Sequence, residues 1–83
     1  MQHFIVERSF SSPFSDQDLS DVSARMAPCL DLYQVQWVRS HLSEDRLRMV
    51  CEYEARDAET LRTVQREAGA NFDRVWAGRV IAP

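Results

Sequence analysis

The chain has 83 residues, thirteen acids and ten bases, all ten of them arginine, for a formal charge of -3. Its length has room for one domain, residues 1–83, and a domain this small buries only about 60% of its unfolded surface, so its core is thin. Arg25, Arg39, Arg46, Arg48, Arg62, Arg66, Arg74 and Arg79 alternate with acids instead of forming the concentrated basic face that nucleic acid requires, so no nucleic-acid partner is expected. No run approaches the roughly 20 apolar residues of a membrane span, and MQHFIVERSF has no apolar signal segment, so the reading is no membrane and a cytoplasmic location. There Cys29 and Cys51 are expected to be reduced, and their separation fits neither a redox pair nor a zinc knuckle.

The first predicted element is a strand over His3–Phe10, with Phe4, Val6 and Phe10 on one face and Ile5 on the other. It carries an acid-base pair, Glu7-Arg8. Glu7 is expected to point away from the helices, and Arg8 to lie toward them near an edge, reaching water by its long stem. Ser15 as N-cap with Asp18 at N3 predicts a helix start. Leu19, Val22, Met26 and Leu30 follow at helical spacing, giving a helix over 16–29 that ends near Met26 or passes through a kinked last turn at Pro28.

Residues 33–42 and 47–55 read as two period-2 strands joined by a four-residue loop, Ser43–Arg46. Pairing Leu42 with Leu47 puts Ser40, Val38 and Gln36 on the core face. The other face then pairs His41 with Arg48, Arg39 with Val50, Trp37 with Glu52 and Val35 with Glu54. Asp57 caps a second helix whose stripe is Ala58, Leu61, Val64 or Gln65, and Ala68, with Gly69 at the left-handed C-terminal position. Residues 72–81 complete the chain as a fourth strand, Val75, Ala77 and Ile81 on one face and Trp76 and Val80 on the other.

The order β-α-β-β-α-β predicts an α+β, ferredoxin-like fold: a four-stranded antiparallel sheet in the order 4-1-3-2 with two helices on one face. Two thiols cannot supply an iron-sulfur cluster, so the name describes topology alone. The uncovered face would carry Ile5, Val35, Trp37 and Val50, too apolar for free exposure, and a second copy of the same sheet is the simplest cover.

FIVERSF at the start, WVRSHLSEDRLRMVCEYEA through the hairpin, DAETLRTVQREAG across the second helix and FDRVWAGRV at the end together resemble the small bacterial DUF4242 family over nearly the whole chain. The pattern W-x-x-S-x-x-S-x-D followed by C-x-Y-x-A is its most specific part. The resemblance implies a ferredoxin-like homodimer, and one branch of the family binds nickel. That branch has a first-strand histidine where this chain has Glu7, and a His-x-x-x-His pattern on the second helix where this chain reads Val64-Gln65-Arg66-Glu67-Ala68-Gly69. Nickel prefers imidazole donors, so their loss is expected to weaken a site of that kind.

His41, Glu7 and Glu52 project from the open face in this register and form a candidate metal set, an imidazole with two carboxylates. The competing account pairs Glu7 and Glu52 with Arg39 or Arg48. His3, at the other end of its strand, is expected to join such a site only from a second subunit. Trp37, Arg39, Trp76 and Arg79 form a candidate pocket for a small planar or anionic ligand, or else anchor a dimer interface. Cys51 falls on the core face, where burial makes a thiol inert. No Ser-His-Asp spacing, glycine-rich phosphate loop or HExxH occurs, so no catalytic residue is assigned. The leading expectation is a small homodimeric binding protein with a transition-metal or small-ligand site on the open face. The alternatives are a cofactor-independent enzyme of the dimeric α/β-barrel monooxygenase type, by analogy of fold, and a purely structural dimerisation module.

Overall fold

The computed structural model describes residues 1–83. Its elements are β1 (Gln2–Ser9), α1 (Asp16–Tyr33), β2 (Gln36–Leu42), β3 (Arg48–Ala55), α2 (Ala58–Glu67) and β4 (Arg74–Gly78). They form one antiparallel sheet in the order β2-β3-β1-β4, the ferredoxin-like arrangement the sequence predicts. Phe4 and Val6 of β1, Met49, Cys51 and Tyr53 of β3, Met26 of α1 and Leu61 and Val64 of α2 make the core.

Both helix starts follow from local chemistry. Ser15 accepts a hydrogen bond from the Asp18 backbone N–H while the Asp18 carboxylate accepts from the Ser15 N–H, a reciprocal capping box. Asp57 accepts from the Thr60 N–H at the head of α2, and Gly69 closes that end at φ 68°, a left-handed conformation suited to glycine. The helix α1 runs through Pro28 to Tyr33, well past the expected end. Proline removes one amide donor, but Cys29, Leu30 and Tyr33 beyond it pack against the core, and that burial outweighs the lost bond. Gln34, left-handed at φ 54°, then turns the chain into Val35.

The β2–β3 hairpin corrects the predicted register. Its closing pair is Ser43 and Arg48, with the Ser43 N–H donating to the Arg48 carbonyl at 2.9 Å, so the turn is Glu44–Leu47, one residue later than expected. Asp45 fixes it by accepting from the Ser43 hydroxyl at 2.7 Å and the Leu47 N–H at 3.0 Å. His41 therefore faces Val50 and Arg39 faces Glu52. A shift of two preserves the faces of these residues, but a bulge at Val38 does not: beyond it Trp37 faces Tyr53, on the helix side. Val35 likewise joins the core at 6% exposure. The open face is thus less apolar than predicted, retaining Ile5, Val50 and Trp76.

The strand β4 stops at Gly78 because its ladder with β1 ends at the pair His3 and Gly78. Val80 and Ile81, predicted to continue the strand, are exposed. Arg8 is a further correction. Its strand is central, and its side chain is buried, donating to the Asn71 carbonyl at 2.9 Å and to Gln65 Oε1 at 3.0 Å.

Candidate functional site

Strand pairing lays out the open face in rows. Arg74, Glu7, Val50 and His41 form one row across β4, β1, β3 and β2, and Trp76, Ile5, Glu52 and Arg39 form the next. Side chains in neighbouring rows meet diagonally.

Glu52 is the focus of this face. His3 Nε2 lies 3.3 Å from its Oε1 and His41 Nε2 lies 3.3 Å from its Oε2, while Arg39 Nε stands 3.8 Å away. The Glu52 side chain is only 12% exposed, so its charge sits at the floor of the face, ringed by two imidazoles and a guanidinium. Two of the expected metal residues, His41 and Glu52, are therefore in direct contact. His3 joins them from its own chain, correcting the expectation that only a second subunit could bring it. The register was the signal: His3 shares a face with Ile5, and Ile5 faces Glu52.

Glu7 stands apart from that trio. Its Oε2 accepts from the Trp76 indole N–H at 2.6 Å and lies 3.6 Å from Arg74 Nε. It shares a shallow hollow with His41, on the two sides of Val50. Glu7 is thus ion-paired, but with Arg74 and not with Arg39 or Arg48, whereas Glu52 has the expected Arg39 partner as well as the two imidazoles. No three His, Cys, Asp or Glu side chains converge closely enough to enclose a metal ion within one chain.

The expected grouping of Trp37 with Arg39 and Trp76 does not form. The Val38 bulge turns Trp37 to the helix side, where its indole N–H donates to the Ser40 hydroxyl at 2.8 Å. There it borders a cleft of about 330 Å³ between α1 and the sheet, together with Phe14, Met26, Cys51 and Tyr53. Arg79, beyond β4, is exposed. Cys51 is buried, as expected, and Cys29 is partly so. No helix is long and apolar enough to cross a membrane.

A family model described as nickel responsive protein SCO4226-like matches residues 4–77. The crystal structure of SCO4226 from Streptomyces coelicolor A3(2) superposes with a TM-score of 0.84, covering 96% of this chain and 99% of the other at 16% identity, a likeness that concerns the fold. No curated protein matches the sequence.

Proposed function

This chain belongs to the SCO4226-like nickel responsive family, and on that premise we propose that it is a small nickel-binding protein whose site lies on the helix-free sheet face at Glu52, His41 and His3. The observation that carries this reading is the bridged carboxylate, with an imidazole 3.3 Å from each of its oxygens. The donor chemistry fits, because imidazole nitrogens with a carboxylate suit a borderline divalent ion such as nickel. Bound there, nickel would draw on ring lone pairs, so uptake competes with protons for the same nitrogens. The chain supplies three donors on three adjacent strands, Glu52 of β3 lying between His3 of β1 and His41 of β2.

A second copy of the chain completes the arrangement in this reading. Val50, 38% exposed, and Trp76, 46% exposed, surround the charged groups on a face with no helix over it. Sheet-on-sheet pairing would cover them and bring a second set of donors to the same seam. The DUF4242 resemblance points the same way.

Equilibrium dialysis of untagged protein against nickel, with metal analysis of the retained fraction, tests the proposal. Saturable uptake that drops in both His3→Ala and His41→Ala supports it. Absence of uptake, or uptake unchanged in both variants, refutes it.

A further inference from the structure

We infer that the cleft between α1 and the sheet binds a small aromatic carboxylate, with Arg8 as its counter-charge. This site lies on the opposite side of the sheet from Glu52 and is independent of the nickel reading.

Arg8 is 7% exposed and borders the cleft floor with Cys51 and Tyr53. Its guanidinium donates to the Asn71 carbonyl at 2.9 Å, Gln65 Oε1 at 3.0 Å, the Tyr53 hydroxyl at 3.3 Å and Cys51 Sγ at 3.5 Å. All four acceptors are neutral groups. Burial raises the Tyr53 phenol above its ordinary 10.0, so it brings no negative charge at neutral pH. No carboxylate pairs with Arg8, whereas Arg39, Arg46, Arg56, Arg62, Arg66 and Arg74 each have an acidic partner. A desolvated cation without an anion is costly to maintain, and its planar fork matches a carboxylate.

Gln65 is fully buried, and its Nε2 has no hydrogen-bond partner, although its Oε1 is bound to Arg8. Arg8 Nη2 already faces three acceptors, yet the Gln65 amide N–H groups have none, so the network around this cation is left with unmet donors and no anion.

The walls define the rest of the ligand. Phe10 and Phe14 stack with ring centroids 4.6 Å apart, and both border the cleft with the partly exposed Trp37. A volume of about 330 Å³ accommodates a single-ring compound. Asp18 and Asp21 at the rim are exposed, and their carboxylates already accept from the Ser15 N–H and the Gln17 amide. Water screens their repulsion of an anion.

Benzoate and its neutral analogue benzamide test the inference in metal-free, 15N-labelled protein. The indole N–H signal of Trp37 reports on the cleft, and that of Trp76, on the opposite face, is the internal control. Benzoate is expected to shift the Trp37 signal saturably and bind at least about tenfold tighter than benzamide, leaving Trp76 unmoved. Gln65→Glu, which sets a carboxylate against Arg8, is expected to weaken benzoate about tenfold or more and spare benzamide. Equal affinity for the two probes, no saturable shift at Trp37, or benzoate binding unchanged in folded Gln65→Glu would each overturn it. Should that variant not fold, the comparison of the two probes on the unaltered chain decides.

Discussion

His3 and His41 reach Glu52 from the two strands that flank it, one imidazole at 3.3 Å from each carboxylate oxygen. Neither neighbours Glu52 in sequence, and neither shares its row in the sheet. The trio depends on diagonal contacts across three strands. Removing its centre should therefore affect both rings together.

Glu52→Gln is expected to lower nickel affinity by about 10–100-fold, because it replaces the one anionic donor of the trio with a neutral amide. Glu7→Gln should leave it within about threefold, because Glu7 is already engaged by Trp76 and Arg74. Isothermal titration of both variants checks the pair. A loss at Glu7 equal to that at Glu52 would move the site along the face to the row of Val50.

Light scattering should give a mass near twice 9.6 kDa for the unaltered chain. Val50→Glu adds a charge in the middle of the open face and should return the particle to a single copy without unfolding it, since Val50 is 38% exposed. A single-copy mass for the unaltered protein would refute the sheet-on-sheet pairing.

Gly69→Ala should destabilise the fold by about 1–2 kcal/mol, the penalty for placing a Cβ in the left-handed region. The added atom meets nothing closer than Arg25 Nε at 3.7 Å, so the cost is conformational, not a clash. Denaturant unfolding should show a lower midpoint at unchanged slope.

Asp57→Ala should show how acid weakens the protein. Hydrogen bonds from the Thr60 backbone and side chain, with Arg56 nearby, hold the Asp57 carboxyl below its ordinary 3.8. A depressed value means that the unfolded chain binds its proton first, so the stabilisation is present above 3.8 and is lost as pH falls through the lower native value. The melting temperature of the variant should lie several degrees below that of the parent at neutral pH, and the gap should narrow well below pH 3.8. A gap that widened in acid would contradict the assignment.

The two tyrosines provide the alkaline counterpart. Burial raises Tyr53, and a hydrogen bond to Glu67 raises Tyr33, above 10.0. Stability from a raised phenol is complete below 10.0 and is lost as pH climbs through its native value. Phenolate absorbance should therefore appear above pH 10 in the native protein, and Tyr53→Phe should remove the later part of the rise.

Topology, both helix starts and the stripe of α2 were legible because capping and periodicity are local signals. Ser15 and Asp18 declare a helix whatever lies around them. The end of α1 was not legible: Pro28 argues for a stop, and only the packing of Leu30 and Tyr33 overrides it. The hairpin turn differed by one residue because Asp45 and Ser43 select the closing pair through side-chain bonds. Arg8 was misread for a related reason. A charge in a strand suggests solvent, but here the carbonyl of Asn71 and the amide of Gln65 take its place. In the site, His41 and Glu52 could be brought together from alternation alone, whereas His3 required the register between β1 and β3.

The extra residue at Val38 marks the point where a single ribbon passes from one surface to the other. On one side of it β2 presents His41 and Arg39 to the open face, and on the other it hands Trp37 to the cleft. Loss of the Val38 codon would make Arg39–Glu52 and Trp37–Tyr53 successive pairs of a regular ladder, so the indole and the imidazole would both keep their faces. The smallest in-frame deletion the gene allows would therefore straighten the ribbon without exchanging what it shows on its two sides.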